Sequence, residues 1–294
     1  EVAGVFILLA FMAPNWQCYL AAFIVFRIFD VLKPWPVCVA DKKIKEMSFL
    51  DHLEELRWLL VRSTIAILVC AVVAFFFSDF IFNEIIFGPK SPDFITYHFF
   101  CELGKQFDMA DTMCITEINL PIQNREMGGQ FSMHMWTSIT VGFIFAFPFI
   151  LWEIWKFISP ALYDNEKKYA ISFIIVSSIL FFLGVLFGYY LIAPLSVQFF
   201  ASYIISPEIS NAIDMDSYIS LMKTSAIASG LLFELPIIIY FLTKIGLVNP
   251  EFLRKYRKYT LIIVLIIAAI ITPPDVLSQI IVTIPIMILY EVSI

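Results

Sequence analysis

Charge is scarce in this chain. Only 15% of its 294 residues are Asp, Glu, Lys or Arg, while 61% are hydrophobic, and the mean hydropathy is +0.88. A soluble domain is about half apolar and a quarter charged. A large soluble domain is therefore excluded, and an integral membrane protein is expected. The three histidines, His52, His98 and His134, are scattered and suggest no shared site. Of the five cysteines, Cys18, Cys38 and Cys70 lie in or near apolar stretches and read as small hydrophobes. No CxxC or Cys/His cluster offers a metal signature, and no glycine-rich phosphate loop precedes a helix. No metal, cofactor or ATP site is expected. There is no basic tract either, so the formal charge of −6 points to no nucleic-acid partner.

What is present falls into two stretches, 1–46 and 47–294. In the first, the apolar runs Val2–Pro14 and Trp16–Phe26 are each too short to span, because about 20 residues cover a bilayer core. The chain begins at Glu1, and no cleavable signal is visible. FRIFDVLKPWPVCVADKKIK follows at 26–45. Together with Glu1 and Gly4, its residues Phe26, Arg27, Asp30, Lys33, Pro34, Trp35, Pro36 and Asp41 resemble the middle of phosphatidylglycerophosphatase A, a membrane phosphatase of phospholipid synthesis. The resemblance covers about a third of that family's usual length, and the family's upstream motifs and downstream acidic pair are missing. Magnesium sites for phosphoryl chemistry need several carboxylates together. Asp30 and Glu1 do not supply them, so an inactive fragment is expected, whether a fusion, a remnant or an engineered lead.

Met47 reads as a second start. In MSFLDHLEELRW, Ser48 and Asp51 stand at capping-box spacing. Phe49, Leu53, Leu56 and Leu60 form an apolar stripe at helical spacing, while Asp51, Glu54, Glu55 and Trp58 point elsewhere and make an acidic face. Six apolar spans are expected: Trp58–Phe77, Met135–Trp152, Tyr169–Phe200, Tyr218–Leu242, Tyr259–Thr272 and Val276–Ile294. The third is long enough to require a tilt or a bend, with Pro194 near its far end. The fifth, at ~21 Å as a helix, falls short of the ~30 Å hydrocarbon core. With the sixth it should form a short hairpin that thins the bilayer locally.

The connectors differ in character. Asp79–Gln130 is a long polar loop with Pro89 and Pro92, of a length that is usually functional or carries its own helices. Its Cys101 and Cys114 suit either a disulfide or two free thiols. FISPALYDNE, Phe157–Glu166, sets carboxylates beside an aromatic ring, with Pro160 preventing helix extension. Ala201–Ser217 is acidic, with Glu208, Asp214 and Asp216. Leu247–Lys258 is basic, and Pro273–Pro274–Asp275 makes a turn with Asp275 as a cap. Inside the fourth span, Lys223 and Glu234 are eleven residues apart, or ~16 Å along the axis, too far to pair within that helix. Glu234 reads either as a functional carboxylate at depth or as a neutral carboxyl in a polar pocket between helices.

Thirteen Lys and Arg residues fall in the candidate inner segments, against Lys90, Lys105 and Arg125 in the outer ones. That asymmetry predicts a cytoplasmic Met47 side, FISPALYDNE loop and basic connector, and an outer Cys101/Cys114 loop.

HLEELR at His52–Arg57, Pro89, FISPALYDNE at Phe157–Glu166, FELP at Phe233–Pro236 and TPPDVLSQ at Thr272–Gln279 occur in this order over Met47–Ile294. Together they resemble the TatC family, the receptor subunits of the twin-arginine protein translocase. Two departures are an enlarged outer loop with two cysteines and the absence of the cytoplasmic tail. The resemblance implies an all-α fold of six transmembrane helices in a concave, glove-like bundle in the bacterial inner membrane. It further implies that Glu55, Phe157 and Glu166, with Arg57 in the same motif set, recognise the twin-arginine signal peptide of folded cargo. Two carboxylates match two guanidinium groups in bidentate fashion. Glu234 would line the groove and offer a polar partner to the signal or to single-span TatA/TatB-type subunits. The remaining expectations are self-association, contact with the lipid bilayer, energy from the proton gradient and no enzymatic activity. The competing reading is a phosphatidylglycerophosphate phosphatase carried by residues 1–46.

Overall fold

The computed structural model describes residues 49–106, 121–159, 170–206, 212–244, 249–272 and 276–293. The chain divides into two units, Glu1–Arg57 and Trp58–Ile294, and the first is described only from Phe49 onward.

The described elements are almost all helical. Helix α1 (Phe49–Phe76) is unbroken for 28 residues; Ser48, its expected cap, lies outside the described residues. The expected polar loop after it is largely built. It holds a short α2 (Ser78–Phe80), a π-helical turn at Ile81–Ile86, a 3-10 turn at Gly88–Lys90 and α3 (Ile95–Gln106). Strand β1 (Ile122–Gln123) then leads to α4 (Gly129–Ile158). The third apolar run comprises α5 (Ala170–Phe187), a π-helical turn at Gly188–Ile192 and α6 (Ala193–Ser202). Strand β2 (Ile213–Asp214) precedes α7 (Met215–Phe233) and α8 (Leu235–Lys244). The chain continues through α9 (Pro250–Lys255), α10 (Arg257–Ile271) and α11 (Val276–Val292).

Four of these runs are long and apolar enough to cross a membrane: His52–Phe76, Gly129–Ile158, Ile171–Ser202 and Met215–Thr243. The last two helices, of 15 and 17 residues, are shorter, as their apolar runs predict. Many exposed side chains on the long helices are large and apolar, as at Leu60 (58%) and Val69 (59%). In lipid such a surface needs no covering, since hydrocarbon is as apolar as leucine.

Prolines decide where the long runs depart from α geometry. Pro194 has no N–H to offer the Tyr190 carbonyl. The irregularity expected there takes the form of the π turn just before it, and the hydroxyl of Thr96 donates to the Tyr190 carbonyl instead. Pro236 likewise lacks the N–H that would bond the Leu232 carbonyl. The fourth span, expected as one continuous helix, is broken at Glu234, whose own N–H turns back to the Leu231 carbonyl at 3.2 Å.

Helices approach closely where side chains are smallest. A Cβ on Gly142 of α4 would lie 2.7 Å from both the Ala71 nitrogen and the Ile67 carbonyl oxygen of α1. One on Gly184 of α5 would lie 2.6 Å from the Ser229 carbonyl oxygen of α7. Small residues at such crossings let backbones come together in a membrane. One apolar core gathers Ala74, Ile81, Ile86, Ala193, Val197, Tyr218, Ile219 and Met222, and a second joins Ile192 to Val264, Ala268, Val282 and Ile286 of the final pair.

The segment after α1 is tied down by tyrosines. Tyr218 donates to the Ile86 carbonyl (2.9 Å), Tyr189 to that of Ile85 (2.7 Å), and Tyr97 to that of Pro89 (2.8 Å). The Pro194 carbonyl lies 3.3 Å from the same Tyr97 hydroxyl. These carbonyls sit in or beside π and 3-10 turns, where the α pattern leaves acceptors unmatched. Burial pushes the Tyr97 hydroxyl well above its ordinary value, so it remains a donor. Strands β1 and β2 pair in parallel, Ile122 with Ile213 and Gln123 with Asp214. This joins two connectors that the sequence pattern treats as separate.

Candidate functional site

Glu234 stands at the break between α7 and α8, with only 6% of its surface exposed. Ser177 of α5 donates to its Oε2. Its Oε1 has no hydrogen-bond partner among the described residues. A buried carboxyl oxygen left unpaired is unfavourable by a few kcal/mol, and ionisable groups at membrane depth are functional candidates by default. The proline two residues on makes the placement possible. By breaking the helix, it turns a residue of the lipid-spanning run into a helix terminus against α5. Lys223, the other charge of that run, lies in α7 with its Nζ 3.9 Å from Met133 Sδ.

A second polar node lies where α1 meets the last turns of α4. Glu153 is 3% exposed, yet it carries two cations. Arg62 Nη1 is 3.2 Å from its Oε2, and Lys156 Nζ is 2.6 Å from its Oε1. Arg62 lies over the Trp58 ring at 5.9 Å and Lys156 over the Trp152 ring at 5.6 Å. Only the carboxylate of this triad is buried, and a buried charge of that kind is tolerated because it is paired. One helical turn beyond Glu153 comes Phe157, half-buried in the last turn of α4. Trp155 packs on Phe173 of α5, with ring centroids 4.9 Å apart.

The remaining residues singled out from sequence are placed as follows. Glu55 is an exposed residue of α1. In the same helix, Arg57 stands 4.0 Å from Glu54, three residues earlier. Pro89 is buried in its 3-10 turn. Asp214 ends β2 immediately before α7, and its side chain makes no capping bond among the described residues. Cys101 is disulfide-bonded. Cys114, Pro160, Glu166, Pro274 and Asp275 lie outside the described residues, as does the fragment at 1–46. Sequence reasoning did not single out Glu153 or Ser177. For Glu153 a signal existed, a Glu and a Lys three apart at the end of an apolar span, the spacing of helix neighbours. For Ser177 there was none, because a serine in an apolar helix usually bonds its own backbone.

Long apolar helices, glycine-mediated crossings and an intramembrane carboxylate define a multi-pass helical membrane protein. Comparison with known proteins narrows this further. Residues 51–285 match the family model for the Sec-independent protein translocase protein TatC. The TatC of Blattabacterium sp. subsp. Periplaneta americana (strain BPLAN) is 46% identical over 250 residues, covering 85% of this chain and 94% of that protein. TatCy of Bacillus subtilis (strain 168) is 35% identical over 252 residues, with 86% and 89% covered. Two crystal structures of a twin-arginine translocase receptor TatC, one of them in DDM, superpose with TM-scores of 0.61 and 0.63. Each is 34% identical and covers 82% of this chain, with 96% and 97% of their own chains covered. The chain belongs to the TatC family of Sec-independent protein translocase proteins. Residues 1–50 separately match the model for phosphatidylglycerophosphatase A.

Proposed function

We propose that this protein is the signal-peptide receptor and core subunit of a twin-arginine translocase in a bacterial inner membrane, with its Met47 side cytoplasmic. All six apolar runs span, α10 and α11 forming the last two. The carrying observation is the family match over residues 51–285, which contains HLEELR, FISPALYDNE and FELP in order. Glu55 and Glu166 each take one guanidinium of the signal's arginine pair in a charge-assisted, bidentate bond. Arg57 belongs to the same motif, and Phe157 packs on the signal's apolar positions or stacks on an arginine. The excess of Lys and Arg on the segments assigned to the cytoplasm supports this sidedness.

Glu234 is the intramembrane contact for the signal or for a single-span TatA/TatB-type partner. Its buried, unpartnered Oε1 supports that role, because a donor from an incoming helix would satisfy it. The subunit catalyses no reaction, binds no cofactor, and acts with further copies of itself and with partners that use the proton gradient. Residues 1–46 are an appended fragment without phosphatase chemistry.

The test is equilibrium binding of a twin-arginine signal peptide to the purified full chain. Glu55→Ala or Glu166→Ala abolishes binding, and a lysine-lysine peptide fails on the unsubstituted protein. Undiminished binding in both variants would defeat the recognition site.

A further inference from the structure

The Glu153 node holds more positive charge than its fold requires. One buried carboxylate fixes two cations, and among the described residues no second carboxylate pairs with either. The carboxylate is 3% exposed, while the Arg62 and Lys156 side chains are 50% and 51% exposed. The anion is thus withdrawn from any ligand, and two positive heads are held at the surface with a net charge of +1.

The level and surroundings of these heads say what meets them there. Lys156 lies two residues before the end of α4, about 3 Å along the axis. The tryptophans beneath the two cations are of the kind that gathers where hydrocarbon gives way to headgroups. From Arg62, the exposed apolar residues Ile65 and Val69 continue down α1 at helical spacing; from Lys156, Trp152 and Phe149 do so on α4. Each cation therefore heads an apolar track running into the membrane. A ligand complementary to this surface carries a negative phosphate at the interface and acyl chains below it.

We propose that Arg62 and Lys156 clamp the headgroup phosphate of one anionic phospholipid, with Glu153 as the buried tether that sets their spacing. Selectivity against zwitterionic lipid follows from the same geometry. Among the described residues the only carboxylate at the node, Glu153, is out of reach of a choline or ammonium group, so a zwitterionic headgroup gains nothing there from its positive end. The inference rests on the membrane character of the chain and not on signal recognition.

The experiment uses the full chain in detergent–lipid mixtures and compares spin-labelled phosphatidylglycerol with spin-labelled phosphatidylcholine. The unsubstituted protein prefers phosphatidylglycerol. Arg62→Gln and Lys156→Gln each lower that preference about fivefold, the worth of one basic residue at a charged lipid surface. Arg62→Lys and the distant control Lys258→Gln retain it. A folded Arg62→Gln/Lys156→Gln double variant with unchanged preference overturns the proposal. A second measurement needs no variant. Phosphatidylglycerol with a photoreactive acyl chain labels α1 and the second half of α4, and excess inorganic phosphate leaves the labelling in place. Labelling elsewhere only, or displacement by phosphate, overturns the lipid assignment.

Discussion

Replacing Gly142 by alanine tests the closest crossing between α1 and α4. The added Cβ would meet the Ala71 nitrogen and the Ile67 carbonyl oxygen at 2.7 Å, and Ala71 Cα at 2.9 Å. Ordinary contact begins at 3.4 Å, so the helices must part by several tenths of an ångström. All three obstructing atoms are backbone, and no side chain can rotate away. Overpacking of this kind is unfavourable by about 1–3 kcal/mol, which for a protein of this size lowers the melting temperature by roughly 2–12 °C. The buried neighbours Ser138 and Ala146 lie one turn to either side on the same face, so the added bulk cannot be absorbed next to Gly142. The parting also strains the 3.2 Å pair between Arg62 and Glu153, which joins the same two helices. Thermal unfolding of the detergent-purified chain, followed by tryptophan fluorescence, reads the effect. Gly128→Ala is the internal control, since a Cβ there has nothing within 4 Å. If Gly142→Ala melts with the unsubstituted protein, the close approach and the reasoning built on it are wrong.

Two further outcomes follow from the segment after α1. Tyr218→Phe strands the buried Ile86 carbonyl and should destabilise by about 1–3 kcal/mol. Tyr189→Phe, whose bond to the Ile85 carbonyl is exposed, should be milder, and equal melting temperatures for the two would contradict this ranking. For the cysteines we predict that Cys101 pairs with Cys114. Peptide mapping should find the two joined, with alkylation at either only after reduction; labelling of both without reductant would exclude the bridge.

Much of the protein was readable from composition and spacing because those properties act locally. The scarcity of charge settles on the membrane as solvent, and apolar run lengths mark the long helices and the two short final ones. Pro194 announces a departure from α geometry because it removes a specific N–H, whatever surrounds it. Motif order across 51–285 carried the family. The sequence could not say that Pro236 would break the helix at Glu234, or that Ser177 would meet the carboxylate exposed there. Neither could it show that the carbonyls of the π and 3-10 turns would be met by tyrosines up to 132 residues away.

The sequence by itself determined the solvent, the four long apolar helices and the kinship, since each depends on what a residue is or on its neighbours within a turn or two. Tertiary structure alone decided that Glu153 takes Arg62 from 91 residues earlier, that Gly142 sits against Ala71, and that Glu234 keeps one oxygen unsatisfied. Those facts depend on which helix faces meet, and a buried charge or a missing Cβ has its consequence only once another helix lies against it.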